Sequence, residues 1–72
     1  MKLLLFESVH QVMRAEKLLA AAGVAHEVLP TPAEIARECG MCLGVDDGAL
    51  AAASAALAAV PHRIADAPGR RA

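Results

Sequence analysis

Apolar and polar positions change their period several times along the chain, and each change marks an element. Residues 2–6, Lys-Leu-Leu-Leu-Phe, form an apolar run of strand length. Ser8-Val9-His10-Gln11 follows at once and reads as a capping box, in which the Ser8 hydroxyl accepts from the Gln11 N–H and the Gln11 side chain returns to the Ser8 N–H. A helix over about 9–22 is predicted. Val9, Val12, Met13, Leu19 and Ala22 recur at helical spacing as its core face, Arg14, Lys17 and Ala21 fall on the other side, and Gly23 suits a left-handed stop.

The period then shortens to two. His26-Glu27-Val28-Leu29 alternates and runs into Pro30, predicting a second strand that ends at Pro30-Thr31-Pro32. Thr31-Pro32-Ala33-Glu34 is a second capping box with proline at the first helical position, where its missing N–H costs nothing, so a short helix over about 32–38 is predicted. Gly40 ends it, and residues 41–45 have the length and content of a third strand. Asp46-Asp47-Gly48 opens an alanine-rich helix predicted to run through Ala59, with Leu50, Ala53 and Leu57 as its core line and Pro61 beyond its end. His62-Arg63-Ile64-Ala65 completes the set as a fourth strand, and residues 67–72 are expected to form a disordered tail.

The order strand, helix, strand, short helix, strand, helix, strand predicts an α+β fold over residues 1–66. Two split βαβ halves of this kind give a ferredoxin-like sandwich, a four-stranded antiparallel sheet with an extra short helix before the third strand. Alternation places Lys2, Leu4 and Phe6 on one side of the first strand and Leu3 and Leu5 on the other, so the strand reads as apolar on both. One helical layer covers one side, so an apolar second face is expected, open to a partner or to a second copy in a homodimer.

Composition narrows the partners. At 72 residues the core is thin. A formal net charge of -1 gives no footprint for a phosphate backbone, and Phe6, the single aromatic, leaves nothing for bases to stack on, so nucleic acid is not expected. The apolar run at residues 3–6 stops at Glu7, too short for a secretory leader of roughly 7–15 apolar residues, and no membrane span is expected. The chain reads as cytoplasmic. No phosphate loop, paired-carboxylate motif or Ser-His-Asp pattern is readable, and no cofactor is expected.

The chemistry is concentrated in Cys39-Gly40-Met41-Cys42, which holds both cysteines of the chain. In a reducing compartment such a pair is more often catalytic, redox-active or metal-binding than a structural disulfide. Four uses compete. A dithiol oxidoreductase places its first cysteine at a helix N-terminus, where the dipole favours the thiolate, whereas Cys39 follows the predicted short helix. A soft-metal site using Cys39 and Cys42 suits two thiolates and Cu(I), although the metal-chaperone domains of this architecture carry their cysteines in the first strand-helix loop, here Glu7-Ser8-Val9-His10. A sulfur or selenium relay needs one accessible thiolate only, with Arg37 as a thiolate stabiliser and Cys42 as a resolving thiol. Burial without chemistry is the fourth use, and it fits Cys42 in the apolar run Met41-Cys42-Leu43. His10 is read as a solvated helix residue and Asp46 and Asp47 as helix-start residues.

Phe6, Ser8, Ala15-Glu16-Lys17, Gly23-Val24, Pro30-Thr31-Pro32, Ile35 and Cys39-Gly40 together resemble a small bacterial family of selenium/sulfur carrier-like proteins over roughly residues 3–66. The most specific part is the Pro-x-Pro segment followed by a Cys-Gly pair. The resemblance implies Cys39 as the carrier residue, with Gly40 beside it and Pro30 and Pro32 shaping the loop. Ala36-Arg37-Glu38 stands where small polar residues are expected, with Arg37 favouring and Glu38 opposing the thiolate. The function this implies is a carrier or accessory protein working between a protein donor and a protein acceptor, more than a stand-alone enzyme. The alternative is a non-catalytic interaction subunit or soft-metal module.

Overall fold

A computed structural model describes residues 1–32 and 40–66. Strand β1 (Lys2–Leu5), helix α1 (Val9–Ala21), strand β2 (Glu27–Pro30), strand β3 (Met41–Val45), a 3-10 turn at Asp47–Ala49, helix α2 (Leu50–Ala56) and strand β4 (Arg63–Asp66) follow one another. The expected short helix before β3 and the expected tail fall on residues 33–39 and 67–72, outside the described residues.

The four strands form one sheet in the order β2-β3-β1-β4, with every neighbouring pair antiparallel. β1 and β2 therefore run one way, β3 and β4 the other. The β1-α1-β2 half straddles β3, and the β3-α2-β4 half straddles β1, so each half closes over a strand of the other. One end of the sheet collects the ends of β1 and β2 and the starts of β3 and β4. Gly40, the described residue next in sequence to Cys39, leads into β3 there.

Local sequence explains the element boundaries. The Ser8 hydroxyl accepts from the Gln11 N–H at 3.3 Å, as the capping pattern predicts. The return bond differs: the Gln11 Oε1 accepts from the N–H of Glu7, not of Ser8, at 3.3 Å. At the other end Gly23 takes φ 75°, and the Gly23 and Val24 N–H groups donate to the carbonyls of Ala20 and Leu19. These are both bonds of a Schellman stop, and Val24 packs with Leu19 in the core. The alanine-rich helix is shorter than predicted. Leu57 and Val60 both enter the core, and Val60 precedes Pro61, a position biased against helical backbone, so the chain leaves the helix after Ala56.

Side chains sort by strand parity. Leu4, Phe6, Leu43 and Val45 join Val12, Ala15 and Leu19 of α1 and Ala53 of α2 in the main core, so both helices lie on one face. The core line of α1 is 12, 15 and 19; Val9, Met13 and Ala22, predicted to be buried, are exposed. Ala15, fully buried between Val12 and Leu19, puts the core line on that side of the helix. For α2 the predicted line holds, with Ala53 and Leu57 buried and Leu50 packed against them. On the second face Leu3, Leu5 and Cys42 form a smaller cluster with Leu29 and Ala65. All three are buried, so the open apolar face expected of β1 is not there. Gly44 contributes to the cover, because a Cβ on it would come within 2.8 Å of Leu29 Cδ1 and 2.9 Å of Met1 Sδ. The missing side chain is the space into which those two fold.

Candidate functional site

Cys42 is the cysteine among the described residues, and its position follows from register. Leu29 stands opposite Cys42 in the β2-β3 ladder, and parity turns both toward the second face. There Cys42 is 0 % exposed, with its Sγ 4.0 Å from the carbonyl oxygen of Pro30. A sulfur so placed packs as a small apolar side chain and is closed to an attacking protein. Cys39 and Arg37 lie outside the described residues.

The described residues on either side of the undescribed segment meet at the sheet's corner. The β2-β3 ladder ends at Pro30 opposite Met41, and one further bond extends it, from the Thr31 N–H to the Gly40 carbonyl at 3.1 Å. Residue 40 is thus tied to residue 31, and Cys39 is its covalent neighbour. The Thr31 Oγ1 is withdrawn from solvent and finds no hydrogen-bond partner among the described residues.

The same end of the sheet carries an open cleft of about 330 Å³ lined by Leu5, Phe6, Glu7, Pro61, His62 and Arg63. His62 is held in it by two contacts. Its Nδ1 lies 2.7 Å from the Val60 carbonyl oxygen, which only accepts, so Nδ1 carries the proton and Nε2 is the acceptor of the neutral ring. Its ring also sits 6.0 Å from that of Phe6, tilted by 39°. His26 is built the same way at the opposite end, with Nδ1 2.9 Å from the Val24 carbonyl oxygen and Nε2 3.6 Å from a Glu16 carboxylate oxygen. Val24-Ala25-His26 and Val60-Pro61-His62 are therefore equivalent segments, each ending a helical crossover and starting an edge strand. A repeated Val-x-His before each even strand was the sequence signal for both.

The remaining expected residues have plain roles. His10 is exposed on the first turn of α1. Asp46 stands at the N-cap of the 3-10 turn, where its carbonyl accepts from the Ala49 N–H at 2.9 Å. The Asp47 carboxylate lies 3.0 Å from the Met1 ammonium, whose hydrogen bond and charge hold that carboxyl below its ordinary value. At the sheet edge Lys2 pairs with Asp66, whose hydrogen bond and charge raise the lysine above its ordinary value.

No group of three or more His, Cys, Asp or Glu side chains able to hold a metal ion occurs among the described residues. No helix among them is long and apolar enough to cross a membrane. No curated protein and no solved structure matches the chain. A family model does, over residues 2–66, from the first residue of β1 to the last of β4, and the chain belongs to the family described as putative Se/S carrier protein-like.

Proposed function

We propose that this protein carries a sulfane sulfur or selenium atom on Cys39 between a donor protein and an acceptor protein. The observation that carries the reading is family membership over the whole folded unit, and the burial of Cys42 supports it by leaving Cys39 to meet a partner. The exchange balances without a cofactor. The Cys39 thiolate attacks the terminal sulfur of a donor cysteine persulfide, a new S–S bond forms on Cys39, the donor S–S bond breaks, and the donor cysteine leaves as its thiolate. An acceptor thiolate then attacks the same terminal sulfur and restores the Cys39 thiolate. The transferred atom keeps its oxidation state throughout, so neither step needs an oxidant.

Arg37 belongs to this reading as a cation that favours the thiolate. Cys42 is a packing residue in it, not a resolving thiol. A reducing cytoplasm suits the exchange, because it keeps the carrier thiol available. The interleaved strand order and the helices on one face support the ferredoxin-like reading of the architecture. Leu3 and Leu5 are already buried within the chain, so the carrier reading asks for no second copy.

The test is incubation with a cysteine desulfurase and cysteine, followed by intact mass. Wild type gains one sulfur atom, Cys42→Ala gains the same, and Cys39→Ser gains none. Equal addition to Cys39→Ser, or none to wild type, refutes the reading.

A further inference from the structure

The sheet has β2 and β4 at its edges, and the alternation of the ladder decides what each edge offers. Thr31 and Gly40 stand opposite each other one step beyond Pro30 and Met41, and the bond between them marks that pair as a hydrogen-bonded one. Bonded and non-bonded pairs alternate along an antiparallel ladder. Leu29–Cys42 and Glu27–Gly44 are therefore bonded, and Val28 and Pro30 turn their backbone groups outward. Proline has no N–H, so the outer side of β2 offers the Val28 donor alone, and this edge is blunted. Carried across the sheet, the same alternation bonds Lys2–Val45 and Leu4–Leu43, then Leu3–Ala65 and Leu5–Arg63. His62, Ile64 and Asp66 are left facing outward, each with an N–H and a carbonyl, and no proline interrupts residues 62–66.

We propose that β4 is a self-association edge, at which two copies of this chain pair antiparallel about Ile64 and join their sheets into one. The inference uses neither cysteine and so stands apart from the carrier reading. A two-fold axis normal to the sheet keeps each face on its own side, so only residues of the same parity can stand opposite each other. Centred on Ile64, it sets Ile64 against Ile64, His62 against Asp66 and Arg63 against Ala65 of the second copy. The outward residues of one strand then meet the outward residues of the other, and their N–H and carbonyl groups find partners together. The side chains agree with this register. Half-exposed Ile64 ends the apolar row Val28, Leu43, Leu4, Ile64, and the second copy continues that row with its own Ile64 and Leu4. The rows on either side set an imidazole opposite a carboxylate, which attract when the ring is protonated. Shifting the register by two residues sets Arg63 against Arg63 in one direction and Ile64 against Asp66 in the other, so charge and apolar pattern select the same centre.

A contact along one short edge makes the dimer weak and reversible. Sedimentation velocity of the full-length reduced protein, taken up to about 1 mM, reads it. The mass rises with concentration toward twice that of the chain. Ile64→Lys, which sets a charge against its own copy, stays monomeric throughout, and Val28→Lys, the equivalent change on the blunted edge, associates like wild type. A wild type that stays monomeric overturns the proposal, as does an Ile64→Lys variant that associates normally or a Val28→Lys variant that does not. A second measurement does not depend on how well Ile64→Lys folds. In a Cys39→Ser background, with Cys42 buried, Ile64→Cys and Val28→Cys each carry a thiol at a half-exposed edge position. Paired Ile64 positions have Cα atoms about 5.5 Å apart, within the range a disulfide spans. Mild oxidation therefore links Ile64→Cys chains roughly tenfold or more faster than Val28→Cys chains, because pairing raises the effective concentration of the thiols. Equal rates of linking overturn the proposal.

Discussion

The burial of Cys42 sets how slowly that thiol should react. Cys42 sits on β3, which is flanked by β2 and β1, and its side chain is 0 % exposed. A reagent reaches it only when the strand opens, and opening a central strand costs close to the full stability of the fold. At about 0.05–0.15 kcal/mol per residue, 72 residues carry about 4–11 kcal/mol. With each 1.4 kcal/mol a factor of ten, the lower figure alone slows alkylation of Cys42 by roughly 700-fold relative to the unfolded chain. The assay treats the reduced protein with iodoacetamide for increasing times, in buffer and in urea, and follows the peptide containing Cys42 by mass. Strong protection in buffer, abolished in urea, is expected. Modification of Cys42 in buffer within tenfold of its urea rate refutes the reasoning, and with it the support that burial of Cys42 lends to the proposed carrier role.

Two further predictions concern the frame that holds this corner. Val28, Leu43, Leu4 and Ile64 form one row across the helix face of the sheet, fully buried at the centre but 43 % and 48 % exposed at the edges. Leu43→Ala should cost about 2–5 kcal/mol in urea unfolding, a large share of the total, whereas Ile64→Ala should cost less than about half of that; equal losses would mean that the helices cover the edges as well as the centre. Lys2 is raised above its ordinary value by the hydrogen bond and charge of Asp66, so the pair adds stability that is fully present below about pH 10.5 and is lost as pH rises through the raised value. Asp66→Asn should therefore flatten the alkaline limb of the stability curve, more visibly at low salt than at high, and an unchanged limb would remove the pair from the account.

Much of this frame is legible in the residues because local chemistry decides it. Ser8 caps α1, Gly23 stops it, and residues 41–45 form β3 as their composition predicts. What depends on tertiary distance is not legible. The burial of Val12, Ala15 and Leu19 over Val9 and Met13 turns on how closely α1 approaches the sheet, and helical periodicity alone allows either line. The second face fails for the same reason. Leu3 and Leu5 look unprotected from β1 alone, yet Gly44, two strand positions from Cys42, lets Met1 and Leu29 fold across. A glycine inside a strand is a signal of close approach, but it does not say what approaches.

That distinction bears directly on the reading of Cys39-Gly40-Met41-Cys42. A C-x-x-C spacing suggests two sulfurs of equal standing, and strand register fixes the surroundings of the second, Cys42. Cys42 is opposite Leu29 and committed to the second face, so its access is governed by the stability of the whole sheet. Residue 40 is tied to Thr31 by one backbone bond beyond the last ladder pair. A redox dithiol or a two-thiolate metal site needs both sulfurs in play. A carrier needs one, because thiolate exchange at a terminal sulfur uses a single nucleophile and returns it unchanged. Burial of Cys42 favours the carrier role proposed above, which asks nothing of that sulfur. What spacing could not reveal is that the second cysteine packs in the second face with Leu3, Leu5 and Leu29.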